Sequence, residues 1–228
     1  MRVLCALLIV IGWPVSTYAK DDLSICYGTT SQGRLVNGVK LPINGENFQS
    51  YSAAASLAGR TYVHSEVAEI ILSAYQSLSA SHPDKVFMYA ETGWREGGHF
   101  PPHKTHQNGL SVDFMTPVVN EAGQSVHLPT YAWNRYGYDI EFDQNGRVDK
   151  LEMDFEALAA HIVALHRAAH DRGHDLWRVI FDPNLQPKLL ETSSGEYIRK
   201  HITLSRRPSW VRHDEHYHVD FAVACEPY

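Results

Sequence analysis

Residues 154–173, DFEALAAHIVALHRAAHDRG, contain the clearest helical pattern in the sequence. Asp154 is a suitable N-cap, and Gly173 suits the first position beyond the helix end, where the backbone is often left-handed. Apolar residues recur at the three- and four-residue spacing that places them on one helix face. That face carries Phe155, Leu158, Ala159, Ile162, Leu165 and Ala169. The segment therefore predicts an amphipathic helix from Asp154 to Arg172 with one buried face.

The sequence on either side of this helix predicts a second long helix, several strands and two long loops. The second helix covers about 65–79, with Ser65 as its N-cap. Runs of β-branched and aromatic residues predict strands at 86–90, 110–119, 177–181 and 218–224. Residues 20–62 and 121–148 are rich in turn-forming residues, and 143–146 (DQNG) predicts a turn.

These elements indicate the fold class. Predicted strands and helices are segregated along the chain and do not alternate strictly, which favours an α+β fold over a parallel α/β fold. The length of 228 residues fits one medium domain with a substantial core. We therefore expect a single domain in which a central, mostly antiparallel sheet is flanked by helices and long loops.

The first 19 residues have the pattern of an export signal. Arg2 supplies a positive charge, 3–13 form an apolar run, and Thr17-Tyr18-Ala19 is a small-residue cleavage site. The apolar run is too short to span a membrane, and no later segment approaches about 20 uninterrupted apolar residues. We predict a signal peptide at 1–19 and a functional domain at 20–228. A buried core segment at the N-terminus is the alternative.

The charge of the chain argues against two classes of partner. Without the predicted signal, 19 Lys and Arg face 26 Asp and Glu, a net charge of −7. Nucleic-acid binding depends on clustered basic residues, so we expect no nucleic-acid partner. We also expect no general attraction to an anionic membrane surface, and no membrane span.

Two cysteines, Cys26 and Cys225, remain after the predicted signal. An exported protein reaches an oxidising compartment, where an even pair of cysteines favours a disulfide. We therefore expect a Cys26–Cys225 bond that joins the two ends of the domain. Two free, buried thiols are the alternative.

Histidines are concentrated in two short groups. The first is HFPPHKTHQNGLSVD, residues 99–113, and the second is HDEHYHVD, residues 213–220. Zinc prefers imidazole nitrogen and carboxylate oxygen, and catalytic zinc sites use three protein ligands and leave one position open. Asp113 lies on a predicted strand, and a turn containing Gly109 can bring His106 beside it.

The spacing within the second group is also informative. His216 and His218 are two residues apart, which on a strand places both side chains on the same face. One of them can bind a metal while the other reaches a bound water or substrate. His213 can point into the same cleft from the preceding turn.

The remaining histidines favour structural roles. We interpret His64, His82, His127 and His201 as hydrogen-bonded core residues. The helical histidines His166, His170 and His174 have metal-chelating spacing, but they lack the glutamate of a His-Glu-x-x-His motif. Some large aromatic residues could line a cleft, although such residues more often fill cores; they are Trp94, Tyr136, Tyr138, Trp177 and Trp210.

The two histidine groups together carry a family resemblance. HKTHQNGLSVD at 103–113, combined with His216-Tyr-His218 and His213, resembles the penicillin-insensitive murein endopeptidases. These enzymes belong to a wider group of zinc peptidases that includes lysostaphin-type enzymes and D-Ala-D-Ala carboxypeptidases. Three flanking segments share the resemblance, which extends from about residue 30 to the C-terminus; they are RTYVH at 60–64, ETGW at 91–94 and IFDP at 180–183.

The resemblance implies a role for each residue that matches the family pattern. His106, Asp113 and His218 are implied as zinc (Zn²⁺) ligands and His216 as the general base. It implies His213 as a substrate or transition-state contact, and in the mechanism that we expect a protonated His213 stabilises the oxyanion. His103 completes the implied set as a secondary contact to substrate.

The implied activity is hydrolysis of peptide cross-links in peptidoglycan by metal-activated water. The substrates would be the stem peptides, and the compartment would be the periplasm. A D,D-carboxypeptidase or amidase of the same zinc group is the alternative enzyme, and a non-catalytic periplasmic zinc-binding protein is the alternative outside catalysis. No Gly-x-Ser-x-Gly motif supports serine-based hydrolysis.

Overall fold

The computed structural model describes residues 23–207, 209 and 211–228. The predicted signal peptide at 1–19 lies outside these residues. Among the described residues, no helix has the length and apolar character needed to cross a membrane.

The described chain contains thirteen strands, five helices and a short 3₁₀ segment. The strands are β1 (Ile25–Thr29), β2 (Gln32–Val36), β3 (Val39–Lys40), β4 (Phe48–Ser50), β5 (Tyr62–Val63), β6 (Phe87–Tyr89), β7 (Ser111–Met115), β8 (Val118–Asn120), β9 (Ser125–Val126), β10 (Arg147–Val148), β11 (Leu151–Met153), β12 (Asp175–Ile180) and β13 (His216–Ala222). The helices are α1 (Ala53–Leu57), α2 (Ser65–Ser81), α3 (Phe155–Asp171), α4 (Gln186–Leu190) and α5 (Gly195–His201), and the 3₁₀ segment is Ala132–Gly137.

Five strands form the central sheet in the order β12-β13-β7-β6-β4. All neighbouring pairs are antiparallel except β4 and β6, which are parallel. Smaller sheets of two and four strands surround it. The expected α+β domain with a mostly antiparallel central sheet and flanking helices is confirmed.

Helix α3 matches the prediction from its sequence. The carboxylate of Asp154 accepts a hydrogen bond from the Ala157 amide, which caps the first turn. Gly173 follows the C-cap with φ of 77°, a backbone conformation that glycine adopts without steric cost. The apolar face of α3 packs against α2 and β12.

Alternation along β7 and β13 gives the central sheet two different faces. Phe114 and Tyr217 are cross-strand partners on the helix-covered face, and both contact His161 of α3. Tyr75 of α2 stacks on the same imidazole, with ring centroids 5.0 Å apart. The opposite side carries a buried polar group from alternate positions of both strands: Ser111, Asp113, His216, His218 and Asp220. The sheet therefore separates an aromatic core from a polar, buried site.

Several predicted boundaries differ from the structure by a few residues, and the predicted long loop at 20–62 contains β1 to β4 and α1. Two differences have a clear physical reason. Helix α2 is capped by the imidazole of His64, which accepts a hydrogen bond from the Glu66 amide. The predicted cap Ser65 instead accepts a hydrogen bond from the amide of Ser24, a residue 41 positions earlier. The predicted strand at 110–119 is two strands, β7 and β8, interrupted next to Pro117, which has no amide hydrogen for a ladder bond.

The predicted disulfide is confirmed. Cys26 of β1 is bonded to Cys225, which follows β13, with an S–S distance of 2.08 Å. Backbone hydrogen bonds between Glu226 and its neighbours in β1 reinforce the same junction. The last residues of the chain are thus held to the first described strand.

The predictions for the isolated histidines are only partly correct. His64 is buried and hydrogen-bonded, as expected. His82 and His127 are partly buried, and His201 is exposed at the end of α5, so the core assignment of His201 is wrong. In α3, His166 contacts the Tyr197 hydroxyl at 2.9 Å, and His170 is exposed.

Candidate metal and active site

Asp113 and His218 face each other across the two middle strands of the central sheet. The antiparallel register of β7 and β13 makes them cross-strand partners. His218 Nδ1 lies 2.9 Å from Asp113 Oδ1, and both residues are buried. Burial disfavours ionisation of Asp113, but the surrounding histidines lower the pKa of its carboxyl well below the usual value. The sheet thus holds a buried carboxylate next to imidazole nitrogen.

His106 approaches the same carboxylate from the loop that precedes β7. Its backbone is left-handed, with φ of 69°, and Gly109, with φ of 78°, completes the turn into the strand. His106 Nδ1 lies 3.0 Å from the Thr92 carbonyl oxygen, so this nitrogen donates and Nε2 carries the free lone pair. Nε2 is buried without a hydrogen-bond partner and lies 3.3 Å from Asp113 Oδ1. An unpartnered buried nitrogen directed at a carboxylate has the character of a metal ligand.

His103 completes a group of possible ligand atoms. One ligand atom from each of His103, His106 and Asp113 can be chosen so that all lie within 4.8 Å of one another. His103 Nδ1 lies 3.6 Å from Asp113 Oδ2, and Nε2 lies 2.5 Å from Glu91 Oε2. His103 is also partly exposed to the cleft, whereas His106 is buried. This position suits a residue that contacts either the metal or the substrate.

Glu91 anchors His103 and was not identified from the sequence as a site residue. Besides His103, its carboxylate accepts hydrogen bonds from Arg60 at both oxygens and from the Tyr51 hydroxyl at 2.8 Å. Burial acts to raise the pKa of Glu91, but the hydrogen bonds from His103 and Arg60 outweigh it and lower the pKa to about 2. In the sequence, Glu91 is only the first residue of the ETGW segment at 91–94 that carries part of the family resemblance.

Asp220 lies behind His218 on the same strand. Its Oδ1 is 2.8 Å from His218 Nε2 and accepts a hydrogen bond from the Ser111 hydroxyl at 2.5 Å, while Oδ2 accepts one from Arg178 Nε at 2.6 Å. Burial acts to lower the pKa of His218, but the charge of Asp220 and hydrogen bonds to Asp113 and Asp220 raise it to about 10. This carboxylate–histidine arrangement orients Nδ1 of His218 towards Asp113.

His216 lies two residues before His218, on the same face of β13. Its Nδ1 is 2.7 Å from Glu215 Oε1, and its Nε2 is 3.9 Å from Asp113 Oδ2. The Tyr138 ring contacts His216 from the loop side, at a centroid distance of 4.8 Å. Burial lowers the pKa of His216 to about 4, so the imidazole is neutral at neutral pH. A neutral imidazole beside a buried carboxylate can accept a proton.

His213 reaches the site from the turn before β13, as expected from its position in the second histidine group. Its ring centroid lies 4.6 Å from that of His216, and its Nδ1 lies 3.0 Å from the Val211 carbonyl oxygen. Burial, with the neighbouring histidine, lowers the pKa of His213 to about 3. The low pKa keeps this ring neutral at neutral pH in the metal-free site, whereas the mechanism expected from the sequence uses a protonated His213.

A cleft of about 640 Å³ opens over these side chains. The Tyr138 hydroxyl donates a hydrogen bond to Asp113 Oδ2 at 3.1 Å and links the cleft wall to the carboxylate. Among the aromatic candidates, Tyr136 and Tyr138 line this cleft, Trp94 and Trp177 do not, and Trp210 lies outside the described residues. Peptide-sized space thus adjoins the buried donor atoms.

The donor set fits a zinc ion. The three residues predicted as ligands, His106, Asp113 and His218, come together around one carboxylate from three separate parts of the chain. Two imidazole nitrogens and one carboxylate oxygen form a known catalytic zinc set, which leaves a coordination position for water.

A protein family model matches the chain over most of its length. The model of the family described as penicillin-insensitive murein endopeptidase matches residues 26–227, nearly the whole described chain. A search of the curated proteins finds no match. The matched range includes both histidine groups and both cysteines of the disulfide.

Proposed function

Because the chain belongs to the penicillin-insensitive murein endopeptidase family, we propose that it is a zinc-dependent endopeptidase that hydrolyses peptide cross-links of peptidoglycan. The observation that carries this proposal is the buried His106 Nε2, which has no hydrogen-bond partner and points at Asp113 below an open cleft. A buried polar atom without a partner calls for an explanation, and at His106 the adjacent carboxylate and the open cleft indicate a ligand.

In this proposal His106, Asp113 and His218 hold the zinc ion. A bound zinc ion lowers the pKa of a coordinated water towards about 7 and polarises the scissile carbonyl. Thr92 fixes the orientation of His106 so that its Nε2 lone pair is free, and Asp220 fixes the orientation of His218 so that its Nδ1 faces Asp113.

His216 takes the proton from the attacking water. Its pKa, lowered to about 4 by burial, keeps the imidazole unprotonated at neutral pH before the reaction. Glu215, 2.7 Å from Nδ1, fixes the ring so that Nε2 faces the site. The imidazole then returns this proton to the leaving amine.

His213 and His103 contact the substrate on either side of the reacting bond. Both belong to the cleft wall. The neutral His213 ring is held by Val211, and the His103 ring is held by Glu91. These anchored side chains orient the peptide with little loss of rotamer freedom.

We further propose that the protein is exported to the periplasm, where its polymer substrate lies. The export pattern at 1–19 and the disulfide between Cys26 and Cys225 both support this location. Amino-terminal sequencing of the protein from a periplasmic extract should begin at Lys20. Retention of Met1 in a reduced, intracellular protein would refute this part of the proposal.

The test is digestion of purified, cross-linked peptidoglycan by the zinc-loaded protein, with fragments identified by mass spectrometry. Conversion of dimeric muropeptides to monomers, lost with a chelator and restored by zinc, supports the endopeptidase. Release of a terminal alanine supports the D,D-carboxypeptidase instead, and separation of glycan from peptide supports an amidase. If the protein binds zinc but releases no fragment from peptidoglycan, the result supports a non-catalytic zinc-binding protein.

Variants separate the proposed roles within the site. His216→Ala should retain zinc and lose most turnover, whereas His218→Ala should lose zinc as measured by elemental analysis. His170→Ala is the matched control, because this histidine is exposed on α3. Wild-type turnover in His216→Ala would exclude His216 as the general base.

A further inference from the structure

Two exposed aromatic side chains stand beside the cleft. Trp133 is 80% exposed and Tyr131 is 49% exposed. Their rings are stacked, with centroids 4.4 Å apart and planes 16° apart. Tryptophan is normally highly buried, so a stacked and exposed pair indicates a binding surface.

The loop that carries this pair is held in one conformation. Asn134 Oδ1 accepts hydrogen bonds from the amides of Tyr131 and Gly137, and its Nδ2 donates one to the Pro129 carbonyl. The amide of Tyr136 also donates to the Tyr131 carbonyl at 2.7 Å. The aromatic faces are therefore presented by an ordered loop, and binding there costs little loop entropy.

The same loop continues into the active site. Ala132 and Arg135 line the cleft, and Tyr138 contacts Asp113 through its hydroxyl. Tyr138 is five residues beyond Trp133, a separation of at most about 18 Å in a fully extended chain. A group resting on the aromatic pair therefore lies within a short peptide's reach of the reacting bond.

We propose that Tyr131 and Trp133 form a platform on which a sugar ring of the glycan strand stacks while its stem peptide enters the cleft. This inference rests on the proposed function for the identity of the polymer. Pyranose rings present a face of C–H bonds that packs on the negative face of an aromatic ring. The exposed ion pair of Arg135 with Asp139 borders the platform side of the cleft and offers hydrogen-bonding groups to the sugar hydroxyls.

The experiment compares Trp133→Ala with the wild-type protein in two assays. One is cosedimentation with intact peptidoglycan sacculi on ice, and the other is cleavage of a cross-linked peptide dimer from which the glycan has been removed. Trp177→Ala is the matched control, since Trp177 is 55% exposed on β12 and does not line the cleft. Thermal unfolding of each variant verifies that it is folded.

The platform predicts about a 5- to 10-fold loss of sacculus affinity in Trp133→Ala, as expected for one aromatic contact. Cleavage of the glycan-free peptide should be unchanged, and Trp177→Ala should match the wild type in both assays. Unchanged sacculus binding in Trp133→Ala, or equal losses in both assays, would overturn the inference. Binding to phospholipid vesicles that depends on Trp133, without sacculus binding, would overturn it in favour of a membrane contact. If the wild-type protein binds sacculi through Trp133 but cleaves neither substrate, the proposed function fails and the platform stands.

Discussion

Replacement of Asp220 by asparagine removes a buried charge from behind the proposed zinc ligand His218 while keeping the side-chain volume. The carboxylate is fully buried and contacts His218 Nε2 at 2.8 Å, with Ser111 and Arg178 completing its hydrogen bonds. Outer carboxylates of this kind typically change metal affinity 10- to 100-fold, which is about 1.4–2.7 kcal/mol. We expect Asp220→Asn to weaken zinc binding by this amount once His218 is deprotonated in both proteins.

The pH dependence gives the prediction a second, independent readout. Asp220 helps to raise the pKa of His218 to about 10 in the zinc-free protein, so zinc must displace a proton at neutral pH. From His218 alone, affinity in the wild type should rise about tenfold per pH unit up to this pKa and then level off. Asparagine lowers the pKa of His218, so the dependence in the variant should be shallower.

The assay is competition for zinc with a chelator of known affinity, at several pH values from 6 to above 10, where His218 is deprotonated in both proteins. Ser111→Ala is the matched control, because it removes a hydrogen bond to the same carboxylate but keeps its charge. Equal affinity and equal pH dependence in Asp220→Asn and the wild type would refute the reasoning. If circular dichroism shows that Asp220→Asn does not fold, the same measurement is made on Asp220→Glu.

Three further predictions concern stability. The double variant Cys26→Ser/Cys225→Ser opens a loop closed across 199 residues, and urea unfolding should show a loss of about 5 kcal/mol from chain entropy; an unchanged midpoint would contradict this. His161 has its pKa lowered to about 3 by burial, whereas the unfolded value is about 6.5, so its contribution to stability is present above pH 6.5 and is lost as pH falls. Between pH 7 and pH 5 the wild type should lose about 2 kcal/mol more than His161→Phe, and parallel pH profiles would argue against a neutral buried imidazole. Gly109→Ala would place Cβ 2.8 Å from the His64 amide nitrogen at φ of 78°, and calorimetry should show a loss of about 2 kcal/mol or more; a stable variant would mean that this turn can adjust.

Local sequence patterns predicted the long helices well because they depend on spacing and capping within one segment. Helix α3 has the predicted cap Asp154 and ends before Gly173. The cap of α2 was mispredicted because the Ser65 hydroxyl accepts a hydrogen bond from the Ser24 amide. The two residues are 41 positions apart, so a pattern of neighbouring residues cannot predict this contact. His201 was likewise assigned to the core, although its burial depends on how α5 packs.

At the candidate site, too, the sequence predicted what depends on residue type and spacing and missed what depends on long-range contacts. Residue types and spacing singled out His106, Asp113, His216 and His218, because zinc chemistry restricts its ligands to a few side chains. Residues that orient those side chains were not identified individually. Glu91 reaches the site only because β6 lies beside β7, and a lone glutamate in a sequence has no such signature.

The sequence by itself determined the two long helices, the strands β6, β7, β12 and β13 of the central sheet, the disulfide partners and the set of candidate metal-binding side chains. Each of these follows from local periodicity or from side-chain chemistry. Only the tertiary structure decided which atoms of those side chains face one another. The register of β7 and β13 brings His218 onto Asp113, and the Thr92 carbonyl leaves His106 Nε2 free. Such contacts join residues far apart in the chain, and their geometry is set by the packing of the whole sheet.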